Sequence, residues 1–298
     1  MAFYIGSQKV CPIVKSGGSG SGDGIPREVD ANGKYGMPTT SFTFSLPSNA
    51  TSLGTYALYY AFRGCTGITS ADLSSLTTIR SSYTLCCAFY GCTSLASVDL
   101  SSLTSINTSG SYALDDAFYG CTSLASVDLS SLTSISGSYA LRGSFSGVSL
   151  TSVDLSSLTT VNGSSALSSA FTNCTSLASV DLSSLTTISG SSALNNVFNG
   201  CTSLASVDLS SLTTVSNTMV LASAFKGCTS LQTLSFPALT PSSFGSYTNQ
   251  FYNLLQSVTG CTVHFPSNLQ SVIGSWSDVT AGFGGTNTTV LFDLPATT

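Results

Sequence analysis

Charge is what this chain most lacks. Of 298 residues only 7% are charged, and there is a single His and a single Trp. Low charge alone would suit a disordered chain, but 42% hydrophobic content with regularly spaced Leu, Val and Ile supplies surface to bury. The charges present are unevenly placed. Residues 1–36 carry four basic and three acidic groups, whereas residues 37–298 carry four basic groups against ten Asp and no Glu. Such a body repels phosphates and has no basic stripe to offset the repulsion, which argues against nucleic-acid binding.

Long apolar runs are also missing. No stretch approaches the ~18 apolar residues of a membrane span. MAFYIGSQKV lacks the basic start and apolar stretch of a secretory signal, so a soluble chain that does not leave by the general secretory route is expected. There is no heptad pattern to drive a fibre-like trimer, which leaves homo-oligomerisation open. Paired metal spacing is absent too. Seven of the ten cysteines (Cys65, Cys92, Cys121, Cys174, Cys201, Cys228 and Cys261) share one recurring position and form no CxxC. They read as small buried apolar residues, whose parallel side-chain vectors disfavour disulfides.

What the chain has is repetition. GCTSLASVDLSSLT occurs at 91–104, 120–133 and 200–213, and again at 173–186 with Asn173 replacing the first Gly. The residue closing each strand-like phrase is Leu46, Leu73, Leu100, Leu129, Leu155, Leu182, Leu209, Phe236, Phe265 and Leu294, ten rungs at a period of 26–29 residues. That period is a solenoid signature and lies in the range of leucine-rich repeats. In 177–188, Leu177, Val180 and Leu182 point inward from a short strand, while Ser179 and Asp181 alternate outward. In 189–201, Ala193, Leu194, Val197, Phe198 and Cys201 share one face of a short helix. Gly64, Gly91, Gly120, Gly147, Asn173, Gly200 and Gly227 then stand where a helix ends in a left-handed residue. The expected fold is an α/β repeat: a right-handed solenoid with a parallel sheet on one face and short helices on the other. Residues 1–15 read as an anchor or docking segment, 16–36 as a Gly/Ser-rich linker, 37–260 as the array and 261–298 as closing repeats.

AFRGCTGITSADL (61–73) and AFKGCTSLQTLSFP (224–237) resemble the repeat phrase of bacterial leucine-rich repeats of the BspA, Treponema pallidum-like type. The family's Pro after the strand is matched at Pro47, Pro237, Pro266 and Pro295, and CTVHFPSNLQSVIGSW (261–276) resembles its closing strand, Pro, short helix and Trp. The resemblance implies the leucine-rich solenoid. Its members range over surface adhesins, host-interaction proteins and phage or prophage structural proteins. A short N-terminal segment followed by a Gly/Ser tether is similar to tail-associated phage and prophage proteins of gut Firmicutes.

Two faces are candidate sites. Asp72, Asp99, Asp128, Asp154, Asp181 and Asp208 fall at the outward strand position of six consecutive rungs. At the ~4.8 Å spacing of paired strands, like charges cost ~0.9 kcal/mol per neighbouring pair even in water. Each Asp precedes Leu-Ser-Ser, whose amides and hydroxyls can satisfy it locally; the alternative use is a stripe that gathers Ca²⁺ or polyols. The second face is aromatic: Tyr56, Tyr59, Tyr60, Tyr83, Tyr90, Tyr112, Tyr119 and Tyr139 cluster in the segments opposite the strands, suited to a glycan, a protein or a neighbouring copy. Equivalent carboxylates lack the asymmetry that glycoside hydrolysis needs, and no Ser is marked as a nucleophile, so no catalytic residue, metal site or cofactor is assigned. The expected function is non-catalytic: a tail-fibre-like receptor-binding protein of a virion that meets a host-cell protein or glycan and other tail proteins through its N-terminus. A bacterial surface adhesin is the alternative, and a surface-polysaccharide hydrolase a lower one.

Overall fold

The computed structural model describes residues 41–107, 109–244 and 249–296, with the backbone of four short strands before them. Most of the expected linker at 16–36 and much of the anchor segment lie outside the described residues. Ten parallel strands match the ten expected rungs: Phe42–Ser45, Ile68–Asp72, Ser97–Asp99, Ser126–Asp128, Ser152–Asp154, Ser179–Asp181, Ser206–Asp208, Thr233–Ser235, Thr262–Pro266 and Thr289–Leu294. The first seven form one ladder and the last three a second sheet. At its outer edge the first ladder is covered by an antiparallel hairpin, Phe3–Ile5 and Gln8–Val10, with Tyr4 opposite Ser45. Two-residue strands at the next corner, from Thr78–Ile79 to Thr214–Val215, stack into a sheet of their own.

The core is a stack of identical layers. Phe62, Phe89, Phe118, Phe145, Phe171, Phe198 and Phe225 lie face to face with centroids 5.2–5.7 Å apart. Nearly parallel offset rings add to the area they bury. The recurring cysteines are fully buried among them, as their spacing predicts.

The segments opposite the sheet depart from expectation. They are not helices: between residues 54 and 228 each coil crosses that face as a ribbon of overlapping turns. In the first coil the amides of Ala57, Tyr59, Ala61, Arg63 and Cys65 bond back three residues, while those of Tyr56, Leu58, Tyr60, Phe62 and Gly64 bond to carbonyls of the next coil. Every fourth residue has positive φ: Tyr56 (60°), Tyr60 (55°) and Gly64 (71°). This is the third position of alternate turns, where a type II turn requires it. The expected left-handed residues are therefore correct, with Asn173 at φ 59° in the Gly column, but they belong to turns and do not terminate helices. Among the described residues, α-helix is confined to Gln270–Ile273 and Ser277–Thr280 in the closing repeats.

Candidate functional site

The sheet's outward face is a shallow trough. Over the first rungs it holds a volume of about 750 Å³ lined mainly by Ser and Asp, and a smaller hollow of about 400 Å³ continues it past Asp181. Asp72, Asp99, Asp128, Asp154, Asp181 and Asp208 are direct register partners on successive strands, and all are exposed. Each carboxylate closes its own turn. Its Oδ1 accepts the amide of the Ser two residues on at 2.9–3.0 Å, and at Asp72, Asp99 and Asp128 it also accepts that Ser hydroxyl at 2.6–2.7 Å. The Ser156 hydroxyl and amide hold the Asp154 carboxyl below its ordinary range. Such bonds favour the charged form and offset the repulsion along the row. Among the described residues no group of three or more His, Cys, Asp or Glu side chains is placed to hold a metal ion.

At the far end of this face the second sheet brings together His264 and Asp293, the residues that precede the closing Phe265 and Leu294 of adjacent rungs. His264 Nδ1 lies 2.9 Å from both oxygens of Asp293, and His264 is the register partner of Ser235. A register shift between His264 and Pro266 carries Asp293 across. The order resembles a hydrolytic triad, but Ser235 and Asp293 are exposed, and no bond joins Ser235 to the imidazole among the described residues. In a hydrolytic triad the Ser hydroxyl is hydrogen-bonded to the imidazole.

The turn ribbon forms the second face, and it gathers all eight predicted tyrosines. Tyr56, Tyr83, Tyr112 and Tyr139 stack as one column with centroids 4.7–5.0 Å apart and planes within 2–9°. Tyr90 stacks on Tyr119 at 4.8 Å. Tyr59 joins the columns, edge-on to Tyr56, Tyr60 and Tyr83. Two cations that sequence reading passed over belong here. The Arg63 guanidinium lies over the rings of Tyr60 and Tyr90, at 5.1 and 4.9 Å. Arg142 lies over Tyr112 and Tyr139 and grips both oxygens of the buried Asp115 at 2.8 Å. Burial raises the Asp115 carboxyl, and Arg142 opposes that shift.

Aligned coil on coil, the ribbon has constant and changing positions. The Leu at 58, 85, 114, 141, 167, 194 and 221 and the Phe four residues later never change. Between them the doublets read Tyr59-Tyr60, Cys86-Cys87, Asp115-Asp116, Arg142-Gly143, Ser168-Ser169, Asn195-Asn196 and Ala222-Ser223. The residue after each Phe changes as freely: Arg63, Tyr90, Tyr119, Ser146, Thr172, Asn199 and Lys226. This alternation was available in the sequence by aligning on the Leu.

Among the described residues no helix is long and apolar enough to cross a membrane. No curated protein matches the chain by sequence. Among solved structures it is similar to the Treponema pallidum leucine-rich repeat protein, with 18% identity, a TM-score of 0.34, and 89% of this chain and 96% of that chain covered. It is also similar to the pneumococcal vaccine antigen PcpA, with 15% identity, a TM-score of 0.31 and 89% and 82% covered. A leucine-rich cell surface protein of Faecalibacterium prausnitzii aligns at 17% identity, with a TM-score of 0.20 and 97% and 94% covered. Residues 39–161, 114–196 and 194–275 match the BspA type leucine rich repeat region, in six copies. With most of its length so matched and its ten strands stacked at the repeat period, the chain belongs to the BspA-type leucine-rich repeat family.

Proposed function

We propose that this chain is a non-catalytic recognition protein whose solenoid presents a rigid surface to a ligand on a host cell. One observation carries the reading. The core is complete within the chain, with every ladder Phe from Phe89 to Phe225 at most 1% exposed, yet Tyr56, Tyr59 and Tyr119 remain 40–54% exposed on one face. A repeat protein that has satisfied its own packing and still exposes large aromatic side chains is built to be covered by something else. Repeats of this family are in general binding scaffolds.

The setting we favour is a phage or prophage tail, with residues 1–15 attaching the protein to other tail components and the array meeting the receptor. The bacterial surface is the second setting, and hydrolysis of surface polysaccharide the third reading. Immunogold labelling of virions separates them. Label on tail tips supports the first, label on intact uninfected cells with none on virions moves the protein to the second, and release of reducing ends from polysaccharide would require the third.

A further inference from the structure

The two faces differ in what they can encode. Along the trough every inner rung repeats Ser and Asp, so a ligand there meets one chemistry whose only variable is length. Along the ribbon the doublet changes from Tyr to Cys, Asp, Arg, Ser, Asn and Ala, while the buried Leu and Phe around it stay fixed. Cys86, Cys87 and Asp115 are turned in, at 5–7% exposure, so the outward variation is carried by Tyr56, Tyr59, Arg63 and Tyr119. A face that changes rung by rung can discriminate among partners, and a periodic one cannot.

Exposure follows the same division. The large hydrophobic side chains exposed among the described residues are Tyr56, Tyr59, Tyr119, Met219 and Tyr252, all on the ribbon line, and Leu291 in the closing strand. Tyr and Arg together are the composition of interface hot spots.

The stacking geometry selects the partner. Tyr56, Tyr83, Tyr112 and Tyr139 cover one another's ring faces, and Arg63 covers a face of Tyr90 whose other side meets Tyr119. Sugar rings bind aromatic faces, and the faces inside these stacks are occupied. Beyond the end faces of the stacks, the ribbon offers ring edges and hydroxyls, and the edge is the positive part of the aromatic quadrupole. Arg63 adds a full charge, exposed and held between two rings, and the ribbon carries no carboxylate before Asp115. The neighbouring Asp115 is already engaged by Arg142.

We propose that the turn ribbon over residues 54–147, and not the carboxylate trough, is the binding surface, and that its partner is a protein segment presenting carboxylates. The proposal rests on the recognition reading and names the site and partner chemistry within it.

The experiment uses the full chain and a fluorescein-labelled Glu-rich peptide, with a Lys-rich peptide of equal length and a linear oligosaccharide as the other arms. Fluorescence anisotropy should show the Glu-rich peptide binding, the Lys-rich peptide not, and the affinity falling as salt rises. Arg63→Ala should weaken that binding about tenfold or more, as loss of a hot-spot side chain does. Tyr59→Ala should weaken it severalfold, and Asp99→Asn or Asp128→Asn should leave it within about twofold. Arg63→Gln, which keeps most of the packing, must show the same loss as Arg63→Ala with an unchanged melting temperature. Three results overturn the proposal: no preference for the Glu-rich peptide, oligosaccharide binding that Tyr59→Ala abolishes, or self-association of the chain that Tyr59→Ala abolishes. Binding of the whole chain to intact cells, measured alongside, keeps the two readings apart. If cells bind and Arg63→Ala changes nothing, recognition stands and this surface falls. If peptide binding behaves as expected and no cell or virion carries the protein, the surface stands and the setting falls.

Discussion

The thiol of Cys121 donates to the main-chain carbonyl of Phe89, 3.0 Å away in the preceding coil. The same bond joins Cys92 to Phe62, Cys174 to Phe145, Cys201 to Phe171 and Cys228 to Phe198, at 2.9–3.1 Å. The recurring cysteine is therefore more than a small apolar filler, because its S–H meets a buried carbonyl that would otherwise carry one bond fewer. Cys121→Ala should cost about 1–2 kcal/mol, from the lost bond and the residual cavity. Cys121→Val should cost less, because Val148 already fills the equivalent slot at 2% exposure. Urea midpoints of the two variants check the order.

Phe145 sits mid-column, 5.4 Å from Phe118 and 5.5 Å from Phe171. Phe145→Ala should cost about 3–5 kcal/mol. Because each coil contacts only its neighbours, hydrogen-exchange protection should fall first in the coils holding Phe118 and Phe171 and last at the two ends. A uniform loss along the chain would contradict this.

The strand half of each repeat was legible because its signals are local. Val180 and Leu182 alternate with Ser179 and Asp181, and the closing Leu fixes the register. The carboxylate turn was legible for the same reason, since Asp and Ser two residues apart carry their own bond. The ribbon was misread because its four-residue period imitates a helix: Leu194, Val197, Phe198 and Cys201 fall inward in either structure. What separates the two is the outward column. Ser192, Asn196 and Gly200 recur every fourth residue, and all three have positive φ. A helix would favour Ala, Glu or Lys there, and Glu is absent from the entire array. His264 and Asp293 precede the closing residues Phe265 and Leu294, so their neighbourhood follows from the repeat alignment, while the register shift beside them is announced by no local pattern.

Asp128 has like charges in register on both sides, Asp99 and Asp154. Asp128→Asn keeps the acceptor for Ser130 and removes the repulsion, so it should be neutral or stabilising by up to about 1 kcal/mol at low salt. Asp128→Ala also loses the turn bond and should destabilise by about 1 kcal/mol. Melting temperatures in low and high salt test this: the gain from Asn should fade as salt screens the row. A gain that persists in high salt would mean that repulsion was not its source.

Arg142→Ala strands the buried Asp115. Burial already raises that carboxyl above its unfolded value, so the folded chain binds its proton more tightly. Its contribution to stability is full below the unfolded pKa and is lost as pH rises through the raised one. Removing Arg142 takes away the groups that oppose the rise, widening that window upward. The variant should lose roughly 2 kcal/mol at neutral pH, and the deficit against the parent should shrink as pH falls below the raised value. Thermal unfolding of both chains from neutral to acid pH measures it, and a deficit independent of pH would place the loss in packing over Tyr112 and Tyr139 instead.

Reactivity should single out one thiol among the nine described cysteines. Burial pushes Cys121 and Cys228 up to about 12 and Cys261 up to about 11, so they hold little thiolate at mildly alkaline pH. Cys87 is shifted the other way. The adjacent Cys86 thiol, with its sulfur 3.7 Å away, lowers Cys87 most, and the Tyr60 hydroxyl adds to that against the effect of burial. Cys86 and Cys87 are also slightly open, at 5% and 7%, whereas the ladder thiols are fully covered. Iodoacetamide on the native chain should therefore modify Cys87 first, with the ladder reacting only after unfolding. Cys86→Ala should slow the Cys87 reaction severalfold, and Tyr60→Phe should slow it by less, in keeping with the order of their effects. Peptide mass spectra over a time course read the sequence of modification, and a ladder cysteine that reacts before Cys87 would show that coil opening, and not thiolate content, controls access to the core.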